Sequence, residues 1–204
     1  MILAHDPSAL AKAAEIISRG GIIAFRTDTF YGLGTDPWNS NAVRALNELK
    51  GREAGKPILV LISDLTELNR FIPNRSSQFD AVAAQFWPGA ITLVGKAQPE
   101  LSQELTAGTN TVGVRLPNDE QVRQLIRTCG GALTGTSANL SENPPGRSAI
   151  EVQAQFPEGV DLIIDDGEVG STEPSTVLDL SGPEARLIRE GVIKRDSLRL
   201  VVKL

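Results

Sequence analysis

Three cations, Lys50, Arg52 and Lys56, fall within seven consecutive residues, Lys50-Gly-Arg-Glu-Ala-Gly-Lys56. An Arg fork donates two parallel hydrogen bonds and suits phosphate or carboxylate, whereas Lys supplies a point charge. The segment is not a P-loop. Only three residues separate its glycines, and Pro57 stands where a magnesium-holding Ser or Thr is required. The same cluster also fits a helix C-terminus carrying basic side chains, which the macrodipole favours. Thr27-Asp-Thr29 places two hydroxyls and a carboxylate beside Tyr31-Gly-Leu-Gly34. Those glycines allow a turn or a close backbone approach, but they form only half a dinucleotide fingerprint. Thr134-Gly-Thr-Ser-Ala-Asn139 crowds hydroxyls and an amide at one point, which could face an anion or close an Asx-type turn. The polar stretch Ser171–Thr176 is a fourth candidate. Arg115 and Arg189 could each hold an anion or make an ordinary strand-edge ion pair.

Other chemistries are excluded by what the chain lacks. Cys129 is its one Cys and His5 its one His. A disulfide framework within one chain, a Cys-based zinc site, a Ser-His-Asp triad and multi-His metal sites therefore fall away. Any catalysis must rest on Lys, Arg, hydroxyls and backbone groups. A net charge of −5 argues against a general nucleic-acid coat, while leaving room for a local basic groove. Between Ser148 and Ala185 there is no Lys or Arg but nine acids, which reads as an acidic solvated surface. No apolar run approaches the roughly 18 residues of a membrane span, and Met1–Leu10 does not read as a signal peptide. The chain is expected to be cytoplasmic, with no membrane partner.

The elements that must position these groups follow from hydrophobic spacing. Asp6 and Pro7 open a helix that Gly20-Gly21 ends. Asn39 or Ser40 caps another that runs to Leu49, and further helices are predicted over 64–70, 76–86, 119–128 and 148–156. Short apolar runs predict strands at 21–25, 58–62, 90–95, 111–116, 131–136, 160–165, 175–180 and 186–190. Residues 26–37 read as a loop, Ser181-Gly182-Pro183 as a hairpin turn, and 193–204 as one short helix or strand. Alternating strands and helices argue an α/β layered domain, and the hairpin makes its sheet mixed. With 204 residues and no linker, one domain over 1–204 is expected.

Taken together and in order, these segments resemble the YrdC-like threonylcarbamoyl-adenylate synthases. The motifs that carry the resemblance are Thr27–Gly34, Lys50-Gly-Arg52 with Lys56-Pro57, Trp87-Pro-Gly89, Val114-Arg115, Thr136-Ser-Ala-Asn139, Ser175–Asp179 and Arg189-Glu-Gly191. They run from about residue 8 to residue 193 and match the short, single-domain form. Four positions depart from the family's habit: Arg26 where Pro is common, Asp28 where Glu is common, Leu61 where some relatives carry His, and Ser141-Glu142 where Ser-Gly usually follows.

The resemblance implies a single α/β domain with a twisted mixed sheet, flanking helices and a large concave cleft. It implies synthesis of L-threonylcarbamoyl-AMP and pyrophosphate from L-threonine, bicarbonate or CO2, and ATP, with magnesium bound through the ATP phosphates. The product would pass to a downstream tRNA threonylcarbamoyl transferase for the t6A modification of tRNA. Carried over by position, Lys50, Arg52, Ser137 and Asn139 would be catalytic. Arg52, Lys56, Thr111, Ser137 and Arg189 would hold ATP, and Thr29, Arg115 and Ser175 would hold threonine. Two alternatives stand beside this: an RNA-binding module using the same cleft, and a protein of the YciO-like sister branch, which lacks the Ser-Ala-Asn motif.

Overall fold

The computed structural model describes residues 1–51, 56–140 and 143–204. Arg52 and Glu142, both singled out from the sequence, lie outside the described residues. Helices begin where a short polar side chain accepts a free first-turn amide. Asp6 accepts from the amide of Ala9 at 2.9 Å, and α1 follows (Pro7–Ser18). Asn39, Ser76, Ser102, Asp119 and Ser148 do the same for α2 (Ser40–Leu49), α3 (Ser77–Phe86), α4 (Gln103–Thr106), α5 (Glu120–Thr128) and α6 (Ala149–Gln155). A short α7 (Arg195–Arg199) stands in the expected tail. Residues 65–70 form a 3-10 helix rather than an α-helix.

The strands are β1 (Ile2–Ala4), β2 (Ile23–Arg26), β3 (Tyr31–Gly34), β4 (Leu59–Ile62), β5 (Ile91–Lys96), β6 (Thr111–Arg115), β7 (Ala132–Ser137), β8 (Leu162–Asp165), β9 (Thr176–Asp179) and β10 (Arg186–Arg189). They make one sheet, ordered β1-β8-β2-β3-β7-β4-β6-β5-β9-β10. Its pairings are mixed: β1–β8, β2–β8, β4–β6 and β5–β9 are parallel, while β2–β3, β3–β7, β4–β7, β5–β6 and β9–β10 are antiparallel. The α/β expectation with a mixed sheet is borne out, and so is the hairpin at Ser181–Pro183.

The loop reading of 26–37 is corrected. Tyr31 and Leu33 are fully buried in one core, and Gly32 and Gly34, which alternate with them, face the other side. Period-2 alternation therefore makes Tyr31-Gly-Leu-Gly34 a strand, with the turn confined to Thr27–Phe30. Gly34 lies under the Phe25 ring. A Cβ there would come 2.7 Å from Phe25 Cε1 and 2.9 Å from the Thr134 carbonyl oxygen. β1 was not expected, because three residues are too few for a periodicity to show.

Helices cover the two sheet faces unequally. On one face Val60, Ile62, Leu93, Val114 and Leu178 join a core that includes Leu46 of α2, Phe79 of α3 and Val152 of α6. On the other, α1 and α5 pack Leu10, Ile17, Val122 and Ile126 over Phe25, Leu133 and Ile164. They leave β6, β5, β9 and β10, at one end of the sheet, uncovered on that side, and the site lies there.

Two outcomes are expected. Gly34→Ala overpacks Phe25 against backbone and should cost roughly 1–3 kcal/mol in urea unfolding. Gly182→Ala, where a Cβ meets nothing within 4 Å, should stay within about 0.5 kcal/mol. Burial pushes the Cys129 thiol, at the end of α5, up to about 12. At pH 8 only roughly one molecule in ten thousand then carries the thiolate. Iodoacetamide should label Cys129 very slowly in the native protein and rapidly in urea; fast native labelling would contradict this.

Candidate functional site

A cavity of about 740 Å³ opens on the uncovered part of the sheet. Side-chain alternation builds its floor: Thr111, Gly113 and Arg115 of β6 and Thr92 and Val94 of β5 face it, while Val112, Val114 and Leu93 face the core. Gly113 keeps the floor low, since a Cβ there would meet Thr92 Cγ2 at 2.9 Å. Val177 and Asp179 continue the surface on β9.

The edge strand β10 reaches the cavity through a one-residue irregularity. Leu187 pairs with Leu178, but Arg189, not Ile188, pairs with Val177. Such a bulge re-aims the side chains that follow it. In regular pairing Arg189 would lie opposite Thr176, whose hydroxyl donates to the Ile193 carbonyl, away from the cavity; with the bulge, Arg189 lines the cavity.

Arg115 is 3% exposed and ion-paired with Asp28. Its Nε donates to the Gly89 carbonyl at 3.0 Å and its Nη1 to Thr29 Oγ1 at 3.1 Å. Thr29 Oγ1 in turn lies 3.1 Å from Thr27 Oγ1, which donates to the Phe30 carbonyl at 2.7 Å. Burial pushes the guanidinium below its ordinary value, and the Asp28 charge pulls it back. An Arg stays protonated under either influence. Asp28 thus anchors the arginine, a role for which its place two residues before Phe30 gave no signal.

Arg189 is held differently. Its Nε and Nη2 donate to the Ser175 carbonyl at 3.1 and 2.8 Å, and Nη2 reaches Ser175 Oγ at 3.3 Å. No carboxylate pairs with it among the described residues. Burial, and then the neighbouring charge of Arg115, lower its pKa. Three guanidinium groups therefore share one cavity; Asp28 pairs with Arg115 and Asp179 with Arg186, and the surplus charge on Arg189 favours an anion.

Six of the sequence-derived residues meet here: Thr29, Thr111, Arg115, Ser137, Ser175 and Arg189 all line the cavity. Thr111 Oγ1 lies 2.9 Å from Thr109 Oγ1, and Ser137 stands at the exposed end of β7. Lys50, Lys56 and Asn139 are not in the wall. Lys50 is 4% exposed and donates from Nζ to the Ser137 carbonyl, so it braces the strand end that carries the serine. Lys56 is exposed, although its neighbour Pro57 lines the cavity. Asn139 turns its amide away to the carbonyls of Leu140 and Asn143, at 2.9 and 2.8 Å, because the chain reverses there.

Sequence reasoning missed Thr92, Asp179 and Arg186, all of which line the cavity. The alternation of Thr92 with Leu93 in a strand was the available signal for the first. The departures find places too. Arg26 bridges Asp119 and Asp166 at 3.2 Å each, and Leu61 lies in the cavity wall.

Comparison with known proteins agrees with this geometry. A family model described as Sua5_yciO_yrdC, telomere recombination, matches residues 15–191. A threonylcarbamoyl-AMP synthase of Bacillus subtilis is 34% identical over 97% of this chain and 57% of its own length. One from Idiomarina loihiensis is 36% identical over 82% of this chain and 91% of its own. The structure of Pyrococcus abyssi Sua5 complexed with L-threonine superposes with a TM-score of 0.94 at 32% identity, covering 98% of this chain and 60% of that one. The chain thus spans less than two thirds of the Bacillus and Pyrococcus proteins. With the fold, the basic cavity and a match through nearly its whole length in accord, the chain belongs to the Sua5/YciO/YrdC family.

Proposed function

We propose that this protein joins L-threonine, bicarbonate or CO2, and ATP into L-threonylcarbamoyl-AMP and pyrophosphate. One observation carries the reading: the buried, Asp28-anchored Arg115 and the exposed Arg189, which lacks a carboxylate partner among the described residues, line the same cavity. One suits a small carboxylate, the other a phosphate. A volume of about 740 Å³ exceeds what an amino acid needs and suits an amino acid together with a nucleotide.

Arg115 takes the threonine carboxylate, with Thr29 and Ser175 beside it. Arg189, Ser137 and Thr111 hold the nucleotide. Among the described residues no cluster of metal-ligating side chains stands in the structure, and Asp179 is already engaged by Ser181 and Arg186. Hydroxyls and guanidinium groups suit a phosphate chain better than a bare cation, so magnesium enters as part of the MgATP substrate. The surplus positive charge disfavours the ammonium form of threonine and favours the free amine. That amine combines with bicarbonate to give the carbamate and water. A carbamate oxygen then attacks the α-phosphorus, the bond to the bridging oxygen breaks, and pyrophosphate leaves with the electron pair. The protein's part is to place the reactants and neutralise developing charge. The product is a mixed anhydride that water destroys, so its consumer is a transferase acting on tRNA.

Two measurements test this. Pyrophosphate release should require threonine, and in degassed buffer it should also require added bicarbonate, with radiolabelled bicarbonate entering an AMP adduct in step. Release that ignores both would leave a nucleotide hydrolase on this fold. Arg115→Lys keeps the charge but loses the fork. A lost charge-assisted hydrogen bond is worth about 1.5–3 kcal/mol, so the KM for threonine should rise about tenfold to a hundredfold while that for ATP moves little. Equal rises for both would place Arg115 in the wrong subsite.

A further inference from the structure

One cross-strand row crosses the cavity floor. Thr92 pairs with Val177 across β5 and β9, and Val177 pairs with Arg189 across β9 and β10. The neighbouring pair Leu93–Val114 places Arg115 opposite Thr92 across β5 and β6. The row therefore reads Arg115, Thr92, Val177, Arg189, with a hydroxyl between two guanidinium-bearing residues.

Thr92 is 1% exposed, and its rotamer is constrained. Its methyl packs over Gly113, where a Cβ would come within 2.9 Å, and its hydroxyl turns toward Ser175, just before β9. A β-branched side chain so packed does not readily change χ1. Among the described residues its one hydrogen-bond partner is Ser175 Oγ, at 3.4 Å. Ser175 Oγ already accepts from Arg189 Nη2 at 3.3 Å. Thr92 and Ser175 carry two hydroxyl protons, but their mutual contact can use only one. The other proton finds no acceptor among the described residues, and both residues line the cavity. A buried donor left this way calls for an acceptor, and the flanking charges require that acceptor to be an anion. Under the reading above, Arg115 takes the amino-acid carboxylate and Arg189 the phosphate. The anion between them is then the third substrate.

We propose that Thr92 is a substrate-binding residue whose hydroxyl donates to bicarbonate in the space between Arg115 and Arg189. The carbamate presents the same pair of carboxylate oxygens, so the bond persists after the amine has reacted. This inference rests on the synthase reading and names the place of its smallest substrate.

The test follows pyrophosphate release in degassed buffer, with bicarbonate varied at saturating threonine and MgATP. Thr92→Val keeps the branched shape and removes the hydroxyl. It should raise the KM for bicarbonate about tenfold or more, the value of one hydrogen bond to a charged ligand, and leave the KM for ATP within about twofold. Thr92→Ser, which restores the hydroxyl, should recover most of the affinity for bicarbonate. Thermal unfolding checks each variant, and if Thr92→Val does not fold, Thr92→Ala takes its place in the same comparison. An unchanged bicarbonate KM in the hydroxyl-free variant overturns the proposal. So does a rise confined to threonine or ATP, or a Thr92→Ser as impaired as Thr92→Val, which would show that packing of the methyl was what mattered. Failure of the synthase reading is separate, because it is seen in the unmutated protein as pyrophosphate release indifferent to bicarbonate.

Discussion

A guanidinium at 3% exposure cannot stand without an opposite charge, and the architecture of the site follows from how Arg115 finds one. Its partner Asp28 is on the turn after β2, its hydroxyl contact Thr29 on the same turn, and its carbonyl contact Gly89 on the corner before β5. Two segments far apart in sequence are thereby held around one side chain of β6. Replacing a buried ion pair by apolar groups is often neutral or stabilising, so the pair is no strong argument for stability. Its value lies in orientation: a fork whose donors are partly committed to Asp28, Thr29 and Gly89 can present the remainder in a single direction.

The same economy of position shapes the cavity. A sheet face normally needs a cover, and here α1 and α5 cover only part of it. The uncovered part carries Thr92, Thr111, Arg115 and Arg189 where a wholly apolar face would have required burial. Gly113 deepens the floor, and the bulge in β10 turns Arg189 into the cavity. A strand whose pairing had not slipped by one residue would have put Arg189 level with Thr176, whose hydroxyl turns away from the cavity to the Ile193 carbonyl.

Much of this was legible from residue order. The caps Asp6, Asn39, Asp119 and Ser148 stand where short polar side chains precede helical spacing. The apolar runs at 58–62 and 111–116 became central strands. What escaped has a physical cause in each case. β3 hid because glycine at every second position erases half of an alternating pattern. The bulge at β10 is set by pairing with a partner strand, which no local pattern records. Lys50 looked like a ligand contact because its charge was visible, whereas its buried course to the Ser137 carbonyl depends on β7, brought alongside from more than eighty residues away. Asn139 has the right side chain for a ligand; the local reversal engages its Nδ2 with two carbonyls, while its Oδ1 is buried without a hydrogen-bond partner among the described residues. The segment containing Arg52 lies outside the described residues.

The basic character of the cavity does not come from the protein's overall charge, which is −5. Several cations are matched to carboxylates: Arg26 to Asp119 and Asp166, Arg75 to Asp80, Lys194 to Glu173 and, at the cavity itself, Arg186 to Asp179. Arg189 instead has a carbonyl and a hydroxyl, which orient a guanidinium without neutralising it. Positive potential is thus created in the cavity by a guanidinium that has no carboxylate beside it among the described residues. A field made this way is short in range, because salt screens an exposed charge within about 8–10 Å. It discriminates among anions already in the cavity and attracts few from afar. That distribution argues against the cavity as a general polyanion groove, where affinity grows with the number of phosphates neutralised along a surface. It favours small anionic substrates held at defined positions, where a misplaced oxygen finds no donor.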